Sequence, residues 1–410
     1  MAGRGDPIAH PELRVGVVGA GFLADTRARC WARVRGARVA GVTSARRERA
    51  EAWSARHGVE AVWGSVDEMV DSGNVDLVDL CVPNALHRPF AERAARAGLH
   101  VLCTKPLAAY AGQDLGADSS DAEVRDRSPR AQWRVASDEA RAIRAASDAA
   151  GTRLFYGENW LYAPSLQRAL ELLARANSPV LEMRGWECHS GSHAAYARSW
   201  RQAGGGALLR LGAHPIGAML HIKRSEGARL GGDAIRPVSV SAEVADCSRV
   251  ASDRGAAASI ETDWGEVENW GSVVIAFQDG SRGVASGSDN WLGGMDSRLQ
   301  VLAARCRIEC NLSPGDGLRA YAPDAEVFGD EPLLEKLDTG AGWSTPMPDA
   351  DWTSGHLPMC QAVADAVASG EPVAGDAELG VDVTSLVYAA YVSAAEGRRV
   401  ELSELGEATG

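Results

Sequence analysis

Six residues, Gly19-Ala20-Gly21-Phe22-Leu23-Ala24, have the spacing G-x-G-x-x-A and follow an apolar run of Leu13, Val15, Val17 and Val18. In that pattern the first glycine permits a tight turn, the second lets backbone approach a pyrophosphate, and the small sixth residue lets a helix pack on the strand. Phosphate charge then sits at the helix N-terminus, beside Phe22 and Leu23. The chemistry implied is dinucleotide binding. An acidic residue at the end of the next strand would hydrogen-bond the 2'-hydroxyl of NAD, but this chain has Thr43-Ser44-Ala45-Arg46-Arg47 there. A hydroxyl and two guanidinium groups suit a 2'-phosphate, so NADP is the expected coenzyme, with NAD as the alternative. A second reading makes Arg46 and Arg47 the solvated first turn of a helix running to His57, although arginine is disfavoured at a helix N-terminus.

These residues need a parallel sheet to hold them. Strands are expected at Ala37–Val42, Asp76–Val82, His100–Cys103 and Thr152–Tyr156, with helices at 22–34, 86–97 and 137–150 between them. Ligands of open α/β sheets lie at the carboxyl ends of the strands, which places Pro83, Asn84, His87, Thr104 and Lys105 along the coenzyme. Lys105 beside an oxidised nicotinamide has its ammonium form disfavoured and can pass a proton to or from a substrate oxygen. An exposed turn lysine is the plainer alternative. The polar stretch 112–135 reads as a mobile insertion close to the Lys105 strand.

A chain of 410 residues exceeds one ordinary core, so two domains are expected. The boundaries read as 1–158 for an N-terminal Rossmann dinucleotide-binding domain of the α/β class and 159–410 for a C-terminal α+β domain. From Asn159 onward tryptophans accumulate, and alternating strands at 183–188, 238–244, 272–277, 283–288 and 299–303 predict a large, open, mostly antiparallel sheet. A formal charge of -13 argues against nucleic acid or an anionic membrane as partner. Eight cysteines without a C-x-x-C, no apolar run of membrane-spanning length and no apolar signal core in residues 1–12 lead to a cytoplasmic expectation.

The fingerprint, Val82-Pro83-Asn84-Ala85-Leu86-His87, Ala97-Gly98-Leu99-His100-Val101-Leu102-Cys103-Thr104-Lys105-Pro106-Leu107-Ala108 and Gly204-Gly205-Gly206-Ala207-Leu208-Leu209-Arg210-Leu211-Gly212-Ala213-His214 together resemble the glucose-fructose oxidoreductase and inositol dehydrogenase family (Gfo/Idh/MocA). The resemblance runs from about residue 12 to about residue 403. It implies an NAD(P)-dependent oxidoreductase acting on CH–OH donors of a sugar, polyol or sugar-like metabolite, and a homodimer or homotetramer formed through the open sheet face. It also makes His214 the general base. An imidazole with an ordinary pKa near 6.5 can take a hydroxyl proton while hydride leaves the same carbon.

Two departures matter. The family usually has Glu-Lys-Pro where this chain has Thr104-Lys105-Pro106, and Asp where it has Arg210. A guanidinium at 210 would keep His214 neutral and attract a carboxylate or phosphate, so an acid-bearing substrate is one expectation; a second has Arg210 turned away and paired with a surface acid. Asn159, Trp160, Tyr162 and His189 are expected substrate contacts. His189 and His193 lack a second cluster and predict no metal site. Two other functions stay open: a redox-neutral enzyme whose tightly bound NAD transiently oxidises a sugar, and a nucleotide-sensing protein without catalysis.

Overall fold

The computed structural model describes residues 12–406, except 117, 193, 314–317, 328–340 and 347. Strands β1 (Leu13–Val18), β2 (Ala37–Thr43), β3 (Ala61–Trp63), β4 (Leu77–Leu80), β5 (His100–Thr104) and β6 (Leu154–Gly157) form a parallel sheet in the order β3-β2-β1-β4-β5-β6. Helices α1 (Phe22–Trp31), α2 (Arg47–His57), α3 (Val66–Asp71) and α4 (His87–Arg96) connect them. The central strands are apolar and buried on both faces, as a sheet covered on two sides requires. One ion pair is enclosed in this core: Arg27 of α1 lies 3.7 Å from Asp79 of β4, with neither side chain exposed.

The stretch expected to be a mobile insertion carries two helices instead. α5 (Asp121–Arg125) opens on a complete capping box between Ser120 and Glu123, and α6 (Pro129–Ala150) starts two turns earlier than the helix anticipated at 137. Both starts were written in the chain, as Ser-x-x-Glu and as Ser-Pro at the first helical position. Val124 is fully buried, and Asp121 pairs with Arg201 at 2.5 Å, fastening the segment to the second domain.

That domain contains α7 (Pro164–Ala176), β7 (Val180–Cys188), α8 (Trp200–Ala203), α9 (Ala213–Arg229), β8 (Pro237–Ala245), α10 (Arg249–Ser252), β9 (Trp270–Phe277), β10 (Arg282–Ser288), β11 (Asp296–Ala303) and β12 (Arg307–Asn311). A small hairpin of β13 (Ala320–Ala322) and β14 (Gly342–Ser344) precedes α11 (Ala350–Thr353), α12 (His356–Ser369), α13 (Ala377–Glu396) and β15 (Val400–Glu401). Seven strands pair in the order β12-β11-β7-β10-β9-β8-β15, antiparallel except for β7 beside β10. Met183, Val273, Ile275, Ala285, Leu299 and Val301 are buried on one face. The other face carries a register row of Ser241, Val274, Val284, Arg184 and Gln300, with Val274 43% exposed. The C-terminal helices return to the first domain: α12 packs on α1, α13 packs on α6, and Tyr156 N–H donates to Gly375 O at 2.8 Å. No helix among the described residues is long and apolar enough to cross a membrane.

His221 on α9 couples this fold to pH. Burial first, and Arg224 second, lower its pKa to about 4. Between pH 6.5 and 4 the unfolded chain therefore binds the proton that the fold refuses. The contribution is present above about pH 6.5 and is lost as pH falls through 4. Buried His87 acts in the same direction. Melting temperature should fall from pH 7 to pH 4.5, and His221→Gln should flatten part of that slope; a wild-type melting temperature unchanged across the window would contradict it.

Candidate active site

The coenzyme cleft begins at the end of β1. Gly19 has φ 116°, and a Cβ there would sit 2.3 Å from Cys81 O, so conformation and space both demand glycine. Gly21 caps α1, and a Cβ added to it meets nothing within 4 Å. The start of α1 thus has no side-chain cap and open space beside Gly21, the room a phosphate at a helix N-terminus needs. Phe22 is 69% exposed and Leu23 half-buried beside them. Ser44 follows β2 half-buried, and Arg46 caps α2 with its side chain exposed. Arg47 lies on the helix surface and pairs with Glu51 at 2.8 Å.

At the end of β4, Pro83 is half-buried, and Asn84 donates from Nδ2 to Ala203 O at 2.6 Å, tying the turn to α8. His87 is corrected from a coenzyme contact to an internal brace. It is fully buried, with Nδ1 3.1 Å from Pro106 O and Nε2 3.1 Å from Val82 O, so it links the turn after β4 to the turn after β5. Thr104 is buried at the end of β5, and the adjacent Lys105 donates from Nζ to the Arg210 carbonyl. This contact bridges the two domains.

The three glycines before His214 allow close packing: a Cβ on Gly206 would lie 1.8 Å from Glu268 O. Glu268 accepts from Gly206 N–H at 2.9 Å, Leu208 N–H at 3.0 Å and Tyr391 O–H at 2.7 Å, which holds the loop. Leu208–Gly212 is a π-helical turn leading into α9. The widened turn interrupts the α ladder where Pro215 would leave a carbonyl without its donor.

His214 is buried between two carboxylates that the sequence reading missed. Its Nδ1 lies 2.6 Å from Glu158 Oε1, and its Nε2 lies 3.5 Å from Glu187 Oε1. Trp160 stacks on the imidazole at 5.5 Å and 15°, and donates from Nε1 to Glu187 Oε2 at 3.0 Å. The ring is therefore fixed in plane, with Nδ1–H given to Glu158 and Nε2 turned to Glu187. Glu158 follows the last residue of β6, at a strand's carboxyl end where this architecture places ligands, so topology could have flagged it. Glu187 lies within β7, and only the packing of that sheet on the turn after β6 brings it to Trp160.

Arg210 does not present an uncompensated charge to a ligand. Its guanidinium pairs with Asp289, whose side chain is fully enclosed, and lies 5.0 Å over Trp264. The alternative of a surface partner is also overturned, because the acid is internal. Three carboxylates (Glu158, Glu187 and Asp289) thus accompany two fixed cations (Lys105 and Arg210), and the expected preference for an acid-bearing substrate loses its basis. Of the remaining expected contacts, Asn159 donates from Nδ2 to Ser354 O at 2.7 Å. Tyr162 O–H accepts from Gly375 N–H at 3.0 Å, a brace within the second domain to the turn before α13. His189 Nδ1 accepts from Gly191 N–H at 3.0 Å and lies 3.5 Å from Asp289. His193 lies outside the described residues, among which no cluster of three metal-ligating side chains occurs.

Residues 13–116 match the family model GFO_IDH_MocA, described as an oxidoreductase family with an NAD-binding Rossmann fold. The alignments to four curated oxidoreductases, including an inositol 2-dehydrogenase of Saccharopolyspora erythraea at 37% identity, span 28–33% of those proteins' lengths and 23–37% of this chain. A D-xylose 1-dehydrogenase (NADP+) of Haloferax volcanii is 24% identical over 89% of this chain and 92% of its own. Among solved structures, GenD2 from gentamicin A biosynthesis, in complex with NAD, superposes with a TM-score of 0.76 at 28% identity, covering 98% of this chain and 99% of that one.

Proposed function

We propose that this chain, which belongs to the Gfo/Idh/MocA oxidoreductases, oxidises a secondary alcohol of a neutral sugar, polyol or cyclitol, or reduces the corresponding ketone, with NADP as the preferred coenzyme. The observation that carries the reading is His214, locked between Glu158 and Glu187 and facing the strand end that holds Lys105. The open helix start at Gly21 fits a pyrophosphate, and the nicotinamide, when bound, supplies the hydride acceptor. His214 Nε2 takes the hydroxyl proton, and Glu158 stabilises the imidazolium formed. Lys105, at the carboxyl end of β5 with its Nζ on the Arg210 carbonyl, supplies the positive charge that stabilises the developing alkoxide. Trp160 holds the base and excludes water from its face. The outer row of the second sheet, with Val274 and Val284 at its centre, is the surface we assign to a homodimer or homotetramer.

The NADP preference rests on Ser44 and Arg46, since Arg47 already has Glu51. Titrating NADPH and NADH by fluorescence should show tighter NADPH binding. Arg46→Glu should reverse the order, by about tenfold or more, because one charge-assisted phosphate contact becomes a repulsion. Equal affinities in both proteins would remove the 2'-phosphate reading. NAD retained stoichiometrically through purification, with no net NAD(P)H released on turnover, would instead support the redox-neutral enzyme.

A further inference from the structure

The α12 helix packs on the turn at 159–162 and on α1. Asn159 binds Ser354 O, and Gly355 sits so close to Asn159 that a Cβ on it would lie 2.1 Å from Asn159 O. This pins the first turn of α12 beside Glu158 and Trp160, the residues that hold His214. On its other side the same turn meets α1, where Arg27 reaches Met359 Sδ at 3.7 Å and Cys360 Sγ at 3.8 Å. His356, the first residue of α12, is thus placed between the coenzyme helix and the proton-transfer residues. Its Nδ1 is shut off from solvent and has no hydrogen-bond partner. A buried ring nitrogen left unsatisfied near His214 and Lys105 implies a group that is to arrive there.

We propose that His356 is a coenzyme-binding residue, its Nδ1 hydrogen-bonded to the carboxamide of the nicotinamide. The carboxamide offers both N–H and C=O, so it satisfies either neutral tautomer of the imidazole. Burial first, then Arg27, His214 and Lys105, hold the His356 pKa well below the ordinary histidine value, which keeps the ring neutral at pH 7. A neutral ring suits this place, since the oxidised nicotinamide is itself cationic and an imidazolium would repel it.

The proposal rests on the coenzyme reading above, and the test separates the two. NADPH and NADH are titrated alongside their nicotinamide-free fragments, 2'-phospho-ADP-ribose and ADP-ribose, in the full-length wild-type protein and in two variants. His356→Ala should weaken the better-bound dinucleotide about tenfold, the worth of one lost hydrogen bond with its partner left unpaired, and leave the fragment's affinity unchanged. His356→Asn, which places an amide near the Nδ1 position, should recover most of the loss. Equal weakening of fragment and dinucleotide would reduce His356 to a structural residue, and no change in either would overturn the contact. Should His356→Ala not fold, His356→Phe, which keeps a ring but removes both nitrogens, is read in its place with the same expected loss for the dinucleotide alone. A wild-type protein that binds neither fragment would overturn the coenzyme reading itself.

Discussion

His214→Ala is expected to lower kcat by about 10²- to 10⁴-fold, the range for removing a general acid–base group, with a much smaller change in coenzyme affinity. The separation follows from the geometry. The imidazole is held by Glu158 and Trp160, while the pyrophosphate end of the cleft is built on the Gly19 turn and the start of α1. Glu158→Gln should fall between the two: an amide can still meet Nδ1, but it removes the charge that stabilises the imidazolium. The assay follows NAD(P)H at 340 nm with myo-inositol, D-xylose and D-apiose as trial alcohols. Turnover in His214→Ala equal to wild type would move the base elsewhere. Turnover absent from the wild type on every alcohol, with coenzyme bound, would favour the nucleotide-sensing alternative.

The largest loss of stability is expected from Asp79→Ala. Arg27 and Asp79 are fully enclosed, and Asp79 also accepts from Trp31 Nε1–H at 2.8 Å. Burial pushes the Asp79 carboxyl upward and Arg27 opposes it. Because guanidinium keeps its proton in any protein environment, removing the carboxylate strands a buried cation. Breaking such a pair costs about 3–5 kcal/mol, whereas replacing both members by apolar residues of similar size is far milder. Urea unfolding should therefore show Asp79→Ala severely destabilised and the double variant Arg27→Met with Asp79→Leu recovering most of the difference. Additive losses in the double variant would mean the two side chains do not act as a pair.

Much of the first domain was legible because its signals are local. Gly19-Ala20-Gly21 fits only one kind of turn, and the apolar runs at β1, β4 and β5 suit strands covered on both faces. The 112–135 stretch was misread because its polar composition outweighed two short capping signals at Ser120 and Ser128. The site was legible only in part. Lys105 and His214 stand in motifs, whereas Glu187 and Asp289 are brought together by the pairing of β7 with β10, and Glu158 reaches His214 from the end of the other sheet, relations that no spacing along the chain encodes.

What the sequence determined by itself is the nucleotide fold, the places of β1, β2, β4, β5 and β6 along the chain and the residue types at the strand ends, since each depends on neighbours a few positions away. Tertiary structure alone decided the electrostatics. The charge at Arg210 could not be interpreted until Asp289 was found beside it, nor His214 until its ring was seen between two carboxylates. The effect of a buried charge depends on what surrounds it at a few ångströms, and those surroundings are assembled by folding from residues as far as 79 positions apart.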